Sequence, residues 1–141
     1  METIMHILRH KTPDFHTTVP GASLKNAMHQ MFCENTDHLV VMDEAGKFLG
    51  VVSEHDITTK GLMAKKSLEE IPVKEVMNTQ LPMAMVNDSI DKCMRLLKQH
   101  HARFLAIFEN FTFKGVISAF DFLEEIVNKG KNVFDSDPAL Q

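Results

Sequence analysis

One heptapeptide occurs twice in this chain. Gly50-Val51-Val52-Ser53-Glu54-His55-Asp56 returns 65 positions later as Gly115-Val116-Ile117-Ser118-Ala119-Phe120-Asp121. Four of the seven positions are identical and a fifth pairs Val with Ile. The likeness extends upstream. Leu39-Val40-Val41-Met42-Asp43 faces Leu105-Ala106-Ile107-Phe108-Glu109 at an offset of 66, Met28 faces Met94 at the same offset, and Val19 faces Val86 at 67. The offset changes only in turn-like sequence, Pro20-Gly21-Ala22 against Asn87-Asp88 and Glu44-Ala45-Gly46-Lys47 against Asn110-Phe111-Thr112. A duplicated structure tolerates length changes in such turns. The supersecondary unit, used twice, is therefore what the sequence specifies.

Both copies carry the same local pattern. Thr17-Thr18-Val19 and Met83-Ala84-Met85-Val86 read as short strands, and Ser23 and Ser89 as helix N-caps. Leu24, Ala27, Met28, Met31 and Phe32 then follow helical spacing, as do Ile90, Cys93, Met94 and Leu97, so each copy predicts an amphipathic helix with one buried stripe. Leu39–Met42 and Phe104–Phe108 are apolar runs of strand length, with hairpin partners in Phe48–Val52 and Phe113–Ile117. Second helices are expected over Glu54–Lys65 and Ala119–Asn128, and a short helical turn after Pro72.

A copy of about 50 residues buries too little surface to stand alone. The expected fold is α+β: two β-α-β-β-α copies packed sheet to sheet, with pseudo-two-fold symmetry and two related clefts between them. Residues 1–66 form the first repeat with its N-terminal segment, 67–130 the second with its leading linker, and 131–141 a mobile polar tail.

Hydrophobic residues make up 44% of the 141-residue chain and charged residues 24%, enough for a packed core without disulfides or metal. The net charge of −4 and pI near 6.0 argue against general nucleic-acid affinity, which needs a basic surface. The start, Met1-Glu2-Thr3-Ile4-Met5-His6, does not read as a signal peptide, and no apolar run approaches the ~20 residues needed to cross a bilayer. A soluble cytoplasmic protein with no membrane partner is expected. Cys33 and Cys93 both fall in helical stretches and read as small buried hydrophobes in a reducing compartment. The ten Phe and ten Met read as core filling.

The repeated Gly-x-x-Ser-x-x-Asp ends a strand and opens a helix. Ser53/Asp56 and Ser118/Asp121 have capping-box spacing, in which Ser and acid satisfy backbone N–H groups at a helix start. The glycine fits a bulge or a close backbone approach. The same corner also presents a hydroxyl and a carboxylate that can accept ribose hydroxyls, beside a helix start that favours an anion. Spacing alone does not separate cap from ligand site.

With the Gly-x-x-Ser-x-x-Asp corners in duplicate, Pro72-Val73-x-x-Val76-Met77 opening the second copy, and His100-His101-Ala102-Arg103-Phe104-Leu105 before its hairpin, the chain resembles a tandem cystathionine-β-synthase (CBS) domain pair, or Bateman module, over roughly residues 4–129. The resemblance implies a regulatory sensor that binds an adenosine-containing ligand such as AMP, ADP, ATP, NAD or S-adenosylmethionine in the clefts. No other cofactor is implied. Asp56 and Asp121 would contact ribose, Ser53 and Ser118 would assist near ribose or phosphate, and Thr17-Thr18-Val19 or Met83-Ala84-Met85 would bracket the base. Arg103 would hold a phosphate, with His38 and His101 alongside. A homodimer and a separate effector protein are implied as partners. The chain departs from the family where His-Leu-Pro-Val is common and it reads Phe104-Leu105-Ala106-Ile107. The first copy has Asp37-His38 where the second has Arg103-Phe104, so the two clefts are expected to differ, one better equipped for a nucleotide. The alternative is a structural dimerisation module whose corners are only caps.

Enzymatic chemistry is not expected. Neither cysteine sits in a recognisable catalytic signature, and Ser53 and Ser118 lack the flanks of a nucleophile elbow. Of the eight histidines, His6 and His10 stand at i, i+4 without a third ligand nearby in sequence, so no metal site is expected.

Overall fold

The structure is a computed structural model that describes residues 2–10 and 16–135, with side chains described outside 130–135. Its elements are α1 (Ile4–His10), β1 (Thr17–Thr18), α2 (Leu24–Glu34), β2 (His38–Met42), β3 (Phe48–Ser53), α3 (Glu54–Asp56), β4 (Met83–Met85), α4 (Ile90–Gln99), β5 (Phe104–Glu109), β6 (Thr112–Ser118) and α5 (Ala119–Asp135). A π-helical stretch, Ile57–Gly61, continues α3, and a 3-10 turn, Val73–Glu75, follows Pro72 as expected.

The class is α+β, with two three-stranded sheets of order β1-β2-β3 and β4-β5-β6. Each has a parallel pair joined to an antiparallel hairpin. Ser23 and Ser89 cap α2 and α4, their hydroxyls accepting from the Asn26 and Lys92 amides at 3.1 Å each. The antiparallel register shifts at Val41/Met42 and again at Ile107/Phe108, opposite Gly50 and Gly115. The two glycines serve this bulge differently. Gly115 adopts φ 151°. At Gly50 a Cβ would lie 2.4 Å from the Asn78 carbonyl oxygen, because residue 78 pairs with the strand edge: Val51 N–H donates to Asn78 C=O and Asn78 N–H to Val51 C=O.

The register also corrects the alignment of the first strands. Thr17 and Thr18 pair with Val40 and Val41, and Met83, Ala84 and Met85 with Ala106, Ile107 and Phe108. Thr17 thus corresponds to Met83, and Val19 continues to Met85, not Val86. Side-chain similarity misled here because Val86 is buried and Val19 is 52% exposed.

Two compact units form. The first spans 16–81. Leu24, Ala27, Met31, Leu39, Val41 and Val52 pack with Ile57, Ile71, Val73 and Val76. The second joins the described residues up to 10 with those from Pro82 onward. Its core sets Cys93, Leu97, Leu105, Ile107, Ile117 and Phe122 against Ile4 and Ile7. The units thus cut across the linear division at 66/67. The segment leading into the second repeat packs on the first, where Val73 N–H donates to Ala22 C=O at 2.7 Å and Leu24 N–H to Ile71 C=O at 2.9 Å. The segment leading into the first repeat packs on the second, where Ile4 N–H donates to Asp88 C=O at 2.9 Å and Met5 N–H to Val86 C=O at 3.2 Å.

Other expectations change in detail. On α2 only Leu24, Ala27 and Met31 are buried; Met28 and Phe32 sit beside that stripe, Phe32 at 85% exposure, and Met94 repeats the position of Met28. Cys33 is exposed, one position further round the helix, while Cys93 takes the buried position of Ala27. Phe111 and Phe120 are exposed, so the phenylalanines are not all core. The second helix does not stop near Asn128: α5 runs to Asp135, since an interior glycine costs a helix only about 1 kcal/mol. Helix therefore takes in residues 131–135 of the expected tail, and 136–141 lie outside the described residues.

Candidate functional site: the Ser/Asp corners

Both repeated corners are reciprocal caps. In the first, Ser53 N–H donates to Asp56 Oδ2 at 3.1 Å and Asp56 N–H to Ser53 Oγ at 3.1 Å. The Ser53 hydroxyl also donates to Asp56 Oδ2 at 3.0 Å. In the second, Ser118 N–H donates to Asp121 Oδ2 at 2.8 Å and Asp121 N–H to Ser118 Oγ at 3.2 Å. Ser53 is 4% exposed, the one buried polar residue among those described. The caps fix each carboxylate at the C-terminal end of a buried hairpin strand, one oxygen tied to the backbone.

The two corners differ in what surrounds them. The first amide after each serine finds an equivalent partner, Glu54 N–H donating to Asp37 C=O at 2.9 Å and Ala119 N–H to Arg103 C=O at 3.1 Å. Asp37 and Arg103 therefore hold corresponding positions, as the sequence comparison implied. The Asp37 carboxylate pairs with His38 Nδ1 at 2.8 Å. The Arg103 guanidinium is exposed and makes no ion pair with the described residues. One turn into the helix the contrast reverses: Lys60 Nζ lies 3.6 Å from Asp56 Oδ1, whereas the corresponding residue after Asp121 is Glu125. Lys60 was not among the sequence-derived site residues, although its i, i+4 spacing from Asp56 was a readable signal.

The strands expected to bracket a base keep exposed apolar side chains. Val19 is 52%, Met83 64% and Met85 47% exposed, while Ala84 turns inward at 4%. The Thr17 carbonyl is already engaged, accepting from Gln30 Nε2 at 2.8 Å. β4 is held by Asp88, whose Oδ2 accepts from Met85 N–H at 2.8 Å. That hydrogen bond, with a smaller contribution from Lys92, holds the Asp88 carboxyl below its usual range against the opposing effect of burial. His38 opens β2 opposite Ser53 in the register. His101 has a backbone role: at φ 49° it repeats the left-handed conformation of Asn35 (φ 53°) at the end of the preceding helix. Within each unit the fold thus brings together Ser53, Asp56 and His38, and Ser118, Asp121 and Arg103.

His6 gains a partner that no local spacing suggested. Its Nε2 lies 3.0 Å from Glu125 Oε1, and Glu2 stands beside both.

A mixed α/β unit used twice, each copy closing on a capped Ser/Asp corner, defines a tandem-repeat module. The family model for the CBS domain matches residues 5–61 and 73–128, and the chain belongs to that family, with two copies in tandem. It is 30% identical over 125 residues to the CBS domain-containing protein CBSCBSPB5 of Arabidopsis thaliana, covering 82% of this chain and 23% of that one. The chain spans less than a quarter of the length of the curated relatives it matches most strongly. Among solved structures, the CBS domain protein NE2398 superposes with a TM-score of 0.82 at 28% identity, covering 90% of this chain and 99% of that one. CBSX2, solved in complex with AMP, superposes at 0.74 with 17% identity, covering 92% of this chain and 99% of that one. No helix among the described residues is long and apolar enough to cross a membrane.

Proposed function

We propose that this chain is a regulatory, non-catalytic module that binds an adenosine-containing ligand at its Ser/Asp corners, with the second corner as the better nucleotide site. The observation that carries this reading is the set of groups around Ser118. A carboxylate at a helix start, its serine and a guanidinium that makes no ion pair among the described residues lie in one unit, with Arg103 C=O bonded to the first helical amide. Asp121 would take the ribose hydroxyls and Arg103 the phosphate, where its planar fork gives bidentate contacts. Met83 and Met85 offer apolar surface for a base, as Val19 does in the first unit. The first corner, with Asp37 in place of Arg103, is less suited to phosphate. The AMP complex of CBSX2 supports the choice of ligand class.

A homodimer is part of the proposal. Phe120, Leu123, Ile126 and Val127 are each more than half exposed along α5, an apolar stripe suited to another copy. Ligand binding would signal only if the ligand binds two states of the module unequally, and a separate effector protein would read the difference in a cytoplasmic setting. The second reading, a structural interaction module, is favoured by the same stripe together with the fully reciprocal caps.

A thermal-shift series with AMP, ADP, ATP, NAD and S-adenosylmethionine separates the two. A ligand at 100 times its dissociation constant stabilises the fold by about 2.7 kcal/mol. No shift with any of the five at millimolar concentration rejects the sensor reading.

A further inference from the structure

We propose a divalent transition-metal site formed by Glu2, His6 and Glu125, where the segment leading into the first repeat meets α5. One ligand atom from each of these residues lies within 4.8 Å of the other two. His6 Nε2 and Glu125 Oε1 are 3.0 Å apart, and the Glu125 side chain is only 16% exposed. Two bonds of about 2.0–2.1 Å from a zinc-sized ion would span neighbouring ligand atoms of about this separation. Glu2 stands before the first turn of α1 with its side chain 44% exposed, and its carboxylate would complete a third bond once it exchanges Lys129 for the ion. His10, one turn beyond His6, has its ring centroid 4.6 Å from that of His6 and is the nearest further imidazole.

The donor set defines the class of ion. One imidazole and two carboxylates suit zinc and its first-row neighbours better than calcium or magnesium, which favour oxygen alone. The two carboxylates match the charge of a divalent cation. The Lys129 ammonium, now paired with Glu2, occupies the role of the cation and competes with it. In binding, the ion takes the Nε2 lone pair, leaves the imidazole proton on Nδ1, and releases Lys129 to solvent. The metal would then clip α1 to the helix that begins beside Asp121.

The test uses the full chain, free of any histidine tag and stripped with chelator, titrated with Co2+ as a spectroscopic probe and then with Zn2+ in competition. Expected are a visible ligand-field absorption that Zn2+ abolishes, and weakening of at least about tenfold on Glu125→Gln. His6→Ala should remove the signal, and Lys129→Ala should tighten binding, since it takes away the competing ammonium. Absence of the absorption at millimolar Co2+, or equal affinity in His6→Ala, would overturn the proposal. So would a Lys129→Ala chain that binds no more tightly than the parent, a readout independent of any effect of His6→Ala on folding.

Discussion

The Lys60 ammonium reaches two groups at the first corner: it lies 3.6 Å from Asp56 Oδ1 and donates to the Val76 carbonyl at 3.2 Å. The repeat-related residue beside Asp121 is Glu125, which pairs with His6 instead. The first corner is therefore closed by a cation from its own helix, whereas the second has an acid at the corresponding position. Because the Lys60 side chain is 52% exposed, its ion pair is worth at most about 1 kcal/mol. Lys60→Ala should lower stability by no more than that in urea denaturation. A loss above about 2 kcal/mol would mean that the bond to Val76 anchors the linker more strongly than an exposed contact can.

Asp121→Ala should abolish AMP binding at a stability loss of cap size, about 1 kcal/mol. Calorimetric titration beside chemical denaturation measures both. An unchanged affinity with lowered stability would make the aspartate a cap and nothing more.

Arg103→Ala should weaken AMP at least tenfold, from about 1.5–3 kcal/mol for a hydrogen bond to a charged group. Adenosine, which has no phosphate, should bind the variant and the parent alike. Equal losses for both ligands would assign Arg103 to the nucleoside end.

Gly50→Ala should destabilise the first unit by about 1–3 kcal/mol, because the new methyl would meet the Asn78 carbonyl oxygen at 2.4 Å. Amide exchange should show the Val51–Asn78 pair opening first. Gly115→Ala should also destabilise, but through its φ of 151°, leaving Asn78 protected.

Acid should weaken the second unit through Asp88. Its carboxyl is held low chiefly by the Met85 amide, so its contribution is complete above the unfolded value of about 3.8 and is lost as pH falls through the lower folded value. Melting temperatures of parent and Asp88→Asn, followed from about pH 5 to about pH 2, should converge as the carboxyl protonates. Parallel curves would contradict this.

In the native protein, iodoacetamide should label Cys33 and spare Cys93. Cys33 is exposed, while burial pushes the Cys93 thiol up to about 11, where little thiolate exists at neutral pH. Mass spectrometry should find one label in the native chain and two in urea.

The repeat made most of this architecture readable. Glycine, serine and aspartate at the corners require particular backbone geometry, so their recurrence placed both strand-to-helix junctions and the caps. Strand runs such as Leu39–Met42 were legible because branched apolar residues bounded by turns have few other uses. What stayed hidden depends on distant chain. Gly50 needs its freedom because of Asn78, and His6 meets Glu125 across 119 positions. Phe32 and Cys33 follow the buried stripe by only a residue or two, and periodicity does not fix the edge of a stripe. The lead-in exchange left no local mark either, since Ile4 and Val73 satisfy amide-to-carbonyl bonds that any residue but proline could make.

That exchange orders events during translation. The first unit is contiguous, carrying its own covering residues Ile71, Val73 and Val76 by the time residue 81 is made. The second is completed by Ile4 and Ile7, which leave the ribosome well before Val86, Cys93 and Leu105, the residues they pack with. In the interval those two isoleucines have no native shelter, and the nascent chain carries exposed apolar surface of the kind chaperones engage.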